Sequence, residues 1–166
     1  MADTRKTAAI IGGGVIGSGW ATRFLLNGWD VRFFDPSEDA ERILHAVTER
    51  GREAMPALCD VVPEEGTLTI ASSTADAVAG ASYIQESTPE RIEVKRAVLN
   101  TIQADCDADA IVASSTSGFM PSELQEGAIR PEQIIVSHPY NPVYLLPLVE
   151  VVGSDKVSKD LLDRAS

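Results

Sequence analysis

Cysteine is scarce in this chain, with two among 166 residues. Cys59 and Cys106 lie far apart and form neither the C-x-x-C spacing of a redox site nor the ligand cluster of a metal site. These absences argue against a disulfide scaffold and against a metal centre. We interpret both thiols as reduced structural residues.

Long apolar runs and an excess of basic charge are also absent. No hydrophobic stretch approaches the roughly 20 residues of a membrane span, and the opening MADTRK is too polar for a signal peptide. With 14 basic and 25 acidic residues the net charge is -11, which disfavours nucleic acid and anionic membranes as partners. The 44% hydrophobic content suits one globular domain with a sizeable core, and the predicted location is the cytoplasm.

Glycines at the spacing G-x-G-x-x-G follow directly on the first apolar run, Ala8 to Ile11. In such a motif the first glycine permits the tight turn, the second lets a pyrophosphate approach the backbone, and the third lets the helix pack on the strand. The helix N-terminus then faces the phosphates. The residues predicted to form this phosphate-binding turn are Gly12, Gly13, Gly14, Val15, Ile16 and Gly17.

An acidic residue, Asp35, ends the second apolar run, Val31 to Phe34. It lies close to the offset at which a carboxylate binds the adenosine ribose hydroxyls in dinucleotide sites. With strand, glycines, helix and acid in this order, the sequence predicts a dinucleotide site rather than an ordinary turn. Asp35 also favours NAD over NADP, because its charge would repel a 2′-phosphate.

Strand and helix signals alternate along almost the whole chain, without an internal repeat or a linker. This alternation predicts one Rossmann-type α/β domain, residues 1–166, with a doubly wound, mostly parallel sheet and helices on both faces. After the first strand, further strands are predicted at 31–34, 68–71, 81–86, 110–114, 133–137 and 146–152. Helices are predicted at about 16–27, 38–58 and 90–104, and from 121 and 158 onward. The last of these stops after two turns without a cap, so we expect the chain to be part of a longer protein.

A histidine and a glutamate on the last two predicted strands are the candidate catalytic pair. His138 lies at the end of its strand between Ser137 and Pro139, where the carboxyl ends of doubly wound sheets bind ligands. Glu150 interrupts an apolar strand and therefore needs a partner, for which His138 is the natural choice. Such a pair fixes the imidazole tautomer and raises its basicity. His45, within a charged helix, is interpreted as an exposed residue.

Several motifs together resemble the 3-hydroxyacyl-CoA dehydrogenase family, as the NAD domain of that family over essentially all 166 residues. The motifs are the glycine turn, Glu90 with Lys95, the Ser-Ser-Thr-Ser run that begins at Ser114, and the segment from His138-Pro139-Tyr140-Asn141-Pro142 to Leu148-Val149-Glu150-Val151.

The resemblance implies NAD as cofactor and a role for each matching residue. His138 is then the catalytic base and Glu150 its orienting partner. Ser117 contacts the substrate oxygen and the nicotinamide ribose, while the remaining three, Glu90, Lys95 and Asn141, line the cofactor site. It further implies a helical C-terminal domain, absent from this chain, that supplies another catalytic residue and builds a homodimer.

The chain departs from the acyl-CoA pattern of that family in two places. Pro139-Tyr140 stands where the acyl-CoA enzymes carry two phenylalanines, and the helical region after Asp35 is short and acidic, a poor surface for CoA. The resemblance is stronger to branches that oxidise a free 3-hydroxy acid, with L-carnitine ahead of L-gulonate as the small-molecule substrate. A 3-hydroxyacyl-CoA substrate and a non-catalytic NAD-binding or structural role remain the alternatives. Tyr140 or Tyr144 would offer an aromatic face to a trimethylammonium group, although packing against the absent domain is the simpler interpretation.

Overall fold

The computed structural model describes residues 6–166, so the first five residues, on which the argument against a signal peptide rests, lie outside it. Seven strands form one sheet in the order β3-β2-β1-β4-β5-β6-β7 within these residues. The strands are β1 (Thr7–Ile11), β2 (Asp30–Phe34), β3 (Leu68–Ile70), β4 (Tyr83–Glu86), β5 (Ile111–Ser114), β6 (Ile134–Pro139) and β7 (Val149–Val152). All neighbours pair in parallel except β6 and β7, which are antiparallel. The predicted fold class is confirmed.

Helices cover both faces of the sheet, because alternate residues of the buried strands point to opposite sides. The helices are α1 (Val15–Leu26), α2 (Ala40–Leu58), α3 (Thr74–Val78), α4 (Ile92–Asp105), α5 (Pro121–Leu124) and α6 (Lys159–Ala165). Ile11 and Ile84 face a core formed with α3, α4 and α5. Ile10 and Phe33 face α1 and α2, and Tyr83 faces α6 on the same side.

The strand order reverses direction at β1, which lies between β2 and β4. The parallel registers align Ile11 with both Phe34 and Glu86, and Glu86 with Ser114. The carboxyl ends of these strands therefore meet along one edge of the sheet. Ligands of doubly wound sheets bind in the crevice at such a reversal, and the glycine turn follows β1 there.

Some local structure differs from the prediction. Helix α3 was not expected, because five residues are too few to show helical periodicity; its N-terminus is capped by Ser73, whose Oγ accepts a hydrogen bond from the Asp76 N–H at 3.1 Å. The short 3-10 helix Pro131–Gln133 was not predicted either. Strand β7 begins at Val149 rather than Leu146, and α2 begins at Ala40.

The remaining expectations concern thiols, metals and membranes. Cys59 and Cys106 are both free, with Cys106 buried, and His45 is exposed as predicted. No cluster of three or more potential metal ligands occurs within residues 6–166. In the same part of the chain, every helix is too short or too polar to cross a bilayer.

Candidate functional site

The glycine turn has the geometry that the sequence predicted. Gly12 has a φ of +107°, and a Cβ there would approach the backbone of Ser87 to 2.6 Å. A Cβ on Gly17 would overlap the carbonyl oxygen of Gly12, so the helix packs against the turn only without a side chain. Both positions require glycine for backbone reasons, one for its φ and the other for close packing.

The N-terminus of α1 is free to receive an anion. Gly14 is the residue before the helix, and a Cβ placed on it meets nothing within 4 Å. No side chain caps the first turn, and no acidic residue occupies it. The first N–H groups of a helix have no partner within the helix, so this end combines free donors with an open approach. These features fit the pyrophosphate of a dinucleotide.

Asp35 holds the glycine turn as well as facing the cleft. Its Oδ2 accepts a hydrogen bond from the Gly13 N–H at 2.5 Å, and its Oδ1 accepts one from the Ser37 N–H at 2.7 Å. A mostly apolar cavity of about 380 Å³ lies beside it, and its lining includes Pro36, Val94 and Val98. Apolar walls next to a carboxylate suit an adenine ring beside its ribose.

Two further cavities, of about 310 and 300 Å³, meet at His138 and Ser117, which line both. The first, here called the inner cavity, also borders the start of α1. Its lining is Ile16, Ser87, Thr88, Glu90, Lys95, Ser115, Ser117, His138 and Pro139. The second, here called the outer cavity, has Glu150 and the apolar side chains of Phe119, Met120 and Val152 in its wall.

His138 and Glu150 are direct partners across β6 and β7, and His138 Nδ1 lies 2.9 Å from Glu150 Oε2. The side chains are 29% and 55% exposed. Because the carboxylate engages Nδ1, the Nε2 atom is left for a ligand in the cavities. The ring of Tyr140 lies 5.7 Å from that of His138. The pairing predicted from the sequence is present in the structure.

Glu90 organises the loop that carries Ser117. Its Oε1 accepts hydrogen bonds from the Thr116 hydroxyl at 2.5 Å and from the N–H groups of Ser117 and Gly118 at 3.1 and 3.0 Å. Burial alone would raise the pKa of Glu90. The hydrogen bond from Thr116, together with those from Gly118 and Ser117 and the charge of Lys95, outweighs burial and lowers this pKa. The carboxylate is therefore charged and fixes the loop beside His138.

Lys95 borders the inner cavity, but its ammonium group is bound by protein. Its side chain is 1% exposed and pairs with the fully buried Glu86 at 3.0 Å. The Nζ atom also donates to the carbonyl oxygen of Thr88 at 3.1 Å and lies 3.4 Å from Glu90. Glu86 further accepts hydrogen bonds from Thr88 and Ser114. The N–H donors of Lys95 are therefore engaged by protein groups, and its role in the site is structural.

The structure brings most of the sequence-predicted residues to one edge of the sheet. Asn141 is the exception: it is exposed in the turn after β6 and belongs to the lining of neither cavity. Sequence reasoning missed Glu86 and Ser87, and it included Ser115 only as a member of the Ser-Ser-Thr-Ser run, without a role of its own. Glu86 carried a signal, since a carboxylate that ends an apolar strand needs a partner; Ser87 carried none beyond its position after a strand.

Comparison with known proteins agrees with this geometry. The family described as "3-hydroxyacyl-CoA dehydrogenase, NAD binding domain" matches residues 7–166. An L-carnitine dehydrogenase/betainyl-CoA thioesterase of Ruegeria pomeroyi is 58% identical over 160 residues, covering 96% of this chain and 33% of that protein. An L-carnitine dehydrogenase of Mesorhizobium japonicum is 49% identical over 95% of this chain and 44% of that protein.

A solved structure gives the same picture of the fold. The NAD+-dependent 5-formyl-3-hydroxy-2-methylpyridine 4-carboxylic acid 5-dehydrogenase superimposes with a TM-score of 0.89 at 30% identity. The match covers 98% of this chain and 53% of that one. The chain therefore spans between about a third and a half of the length of these relatives.

Proposed function

Because this chain belongs to the 3-hydroxyacyl-CoA dehydrogenase family as its NAD-binding domain, we propose that it serves the NAD-dependent oxidation of the 3-hydroxyl group of L-carnitine to 3-dehydrocarnitine. The observation that carries the proposal is the His138–Glu150 pair: His138 lines both cavities, and Glu150 lines the outer one. Binding a dinucleotide requires neither residue, so their pairing at the junction favours catalysis over a binding or structural role.

His138 is the general base in this proposal. Glu150 holds Nδ1, so Nε2 takes the proton of the substrate hydroxyl, and the carboxylate stabilises the resulting imidazolium. Bound NAD+ supplies the acceptor for the hydride that leaves C3. Ser117, on the loop fixed by Glu90, is placed to hold the substrate oxygen because it lines both cavities. Asn141, which the family resemblance implies as a cofactor residue, lies outside the lining of both cavities, and its role stays a prediction.

The charges of the site favour a cationic substrate. Among the described lining residues of the two cavities the charged groups other than the histidine are Glu90, Glu150 and Lys95, and Lys95 is already paired. In and beside α2, Arg42 pairs with Asp39, and Arg52 pairs with Glu49 and Glu65. A trimethylammonium group suits this surface better than the phosphates of CoA. Tyr140, beside His138, offers that group an aromatic face, whereas Tyr144 lies near Gly51 of α2.

The activity is proposed for a longer protein that contains a second, helical domain and forms a homodimer in the cytoplasm. Support for the second domain comes from the length of the relatives and from the exposed apolar side chains, Met120 and Val152, in the wall of the outer cavity. A second domain seated there would exclude water from the His138–Glu150 pair, which strengthens its electrostatics.

The test is reduction of NAD+ by the full-length protein, followed by absorbance, with L-carnitine, L-gulonate and a 3-hydroxyacyl-CoA measured side by side. The proposal expects the highest kcat/KM with L-carnitine. Preference for the CoA thioester or for L-gulonate would reassign the substrate within the same reaction class. Tight NAD binding without turnover of any of the three would instead favour the non-catalytic role.

A further inference from the structure

Two serine hydroxyls in the wall of the inner cavity form a pair that no part of the proposed mechanism uses. Ser87 follows β4 and Ser115 follows β5, and their Oγ atoms are 2.8 Å apart. Both line the inner cavity together with His138 and Ser117. The N–H of Ser87 is bound to the carbonyl oxygen of Ile11 at 2.7 Å, which fixes Ser87 against the glycine turn.

A fully buried glutamine, Gln85, donates a hydrogen bond to this pair. Gln85 Nε2 donates to the backbone carbonyl oxygen of Ser137 at 3.2 Å and to Ser115 Oγ at 2.8 Å. A carbonyl oxygen only accepts, so the amide nitrogen must face these groups. The amide oxygen of Gln85 is left buried with no partner in the described chain.

One hydroxyl hydrogen of the serine pair has no acceptor within the described protein. The two hydroxyls carry two hydrogens, and one of them makes the bond between Ser87 and Ser115. Gln85 brings only a donor, so it takes up neither hydrogen. Within residues 6–166 no other acceptor engages the pair. Whichever serine donates to the other, one O–H remains for a ligand in the inner cavity.

From this geometry we propose that the Ser87–Ser115 pair, which accepts a hydrogen bond from Gln85, donates a hydrogen bond to an oxygen of the nicotinamide riboside half of the cofactor. This inference rests on NAD binding as stated above. The half is assigned by position, because the inner cavity lies between the start of α1 and His138. The apolar cavity that suits adenine is bordered instead by the end of β2, at Phe34 and Asp35. The acceptor is either the ribose or the carboxamide oxygen.

Calorimetry with three probes tests the pair in Ser87→Ala and Ser115→Ala variants: NAD+, ADP-ribose, which lacks the nicotinamide, and AMP, which lacks that whole half. One neutral hydrogen bond corresponds to a roughly 2- to 12-fold change in Kd. The variant that lacks the serine whose hydroxyl donates to the cofactor should weaken NAD+ binding by this amount, and both variants should leave AMP binding unchanged. A matching loss with ADP-ribose assigns the ribose as acceptor, and a loss with NAD+ alone assigns the carboxamide; both support the proposal.

Controls separate the possible failures. Ser82→Ala removes a hydroxyl that donates to the Thr7 carbonyl oxygen at the opposite end of β4, and should change none of the three affinities. Unchanged NAD+ binding in both serine variants, or an equal loss with AMP, overturns the inference while NAD binding itself stands. If the parent chain binds none of the three probes, the result contradicts the assignment of NAD as cofactor, on which this inference rests. Thermal unfolding verifies that each variant is folded. If Ser87→Ala does not fold, the binding comparison is made with Ser115→Ala.

Discussion

The Oδ2 atom of Asp35 accepts a hydrogen bond from the Gly13 N–H at 2.5 Å, and so ties the end of β2 to the turn that follows β1. A Cβ on Gly13 would meet Phe33 and Ala40 at under 3 Å, so the turn also packs closely against these two side chains. Asp35 therefore has two tasks that the sequence presented as one. It is the proposed partner of the adenosine ribose, and it holds the phosphate-binding turn in shape.

Substitution of Asp35 should separate these tasks. The parent should bind NAD much more tightly than NADP, because the carboxylate repels a 2′-phosphate. Asp35→Ala removes two charged hydrogen bonds to backbone as well as the repulsion, and should weaken NAD binding by roughly 10- to 100-fold. Asp35→Asn keeps a hydrogen-bond acceptor, so it should lose less affinity for NAD than Asp35→Ala does. Because it removes the negative charge, it should also reduce the preference for NAD over NADP. Calorimetric titration measures the affinity of the parent and of both variants for NAD and NADP, and equal affinities of the parent for the two cofactors would contradict the assignment.

Loss of the base should affect turnover and leave cofactor binding almost unchanged. In the full-length enzyme, His138→Ala should lower kcat by roughly 10²- to 10⁴-fold, the usual contribution of a general base. Glu150→Gln should act in the same direction by a smaller factor, because the imidazole remains but its partner is uncharged. Initial rates and NAD Kd values are compared for both variants. Turnover that survives His138→Ala within a few-fold would place the proton acceptor elsewhere.

Glu150 and Glu86 show which side-chain pairs can be predicted from the sequence and which cannot. A carboxylate in an apolar strand needs a partner, and this rule paired Glu150 with His138. The same rule applies to Glu86, which ends the buried strand β4, but Lys95 was assigned to the cofactor through a family resemblance. The fully buried pair between the two is a tertiary contact across the end of the sheet. The local sequence pattern around a buried carboxylate does not show which residue, distant in the sequence, pairs with it.

The fold was easier to predict than the site for a related reason. Strands buried on both faces, such as Ala8–Ile11 and Ile111–Val112, read as continuous apolar runs and fix the alternation of elements. The position of Asn141 depends instead on the path of the chain after Pro139, in an exposed turn without periodicity. Likewise, the pairing of Ser87 with Ser115 requires β4 and β5 to lie side by side.

The buried Lys95–Glu86 pair should respond asymmetrically to substitution. Lys95→Met leaves Glu86 buried without its countercharge and should lower the free energy of unfolding by about 3–5 kcal/mol. Adding Glu86→Gln should recover part of this loss, because no uncompensated charge remains. Urea denaturation followed by circular dichroism gives the values. Lys159→Met, in an exposed pair with Asp163, is the matched control and should have little effect. Equal effects of Lys95→Met and Lys159→Met would contradict the buried pair.

Tyr83 should lose its proton only at strongly alkaline pH. Burial raises its pKa to about 12, although its hydrogen bond to Ser137 acts in the opposite direction. The unfolded pKa is about 10, so the neutral ring contributes stability that is complete below pH about 10 and is lost as the pH rises toward 12. The difference in tyrosinate absorbance between the parent and Tyr83→Phe isolates this group. A difference that titrates near pH 10 in the folded protein would show that the ring is not buried as described.

The 166-residue chain should bind NAD and yet fail to oxidise L-carnitine. All seven strands of the described sheet and the whole glycine turn lie within residues 7–152, so the chain contains the elements on which the proposed dinucleotide site is built. Turnover additionally requires the substrate to be held with its C3 hydrogen aligned, and orientation accounts for much of such a rate. In this chain Glu150 is 55% exposed and Met120 65% exposed, so water enters the outer cavity and screens the His138–Glu150 pair. Calorimetry with NAD and an absorbance assay with L-carnitine are run on the chain and on the full-length protein. A kcat for the chain close to that of the full-length enzyme would show that this domain carries the whole site and would refute the two-domain proposal.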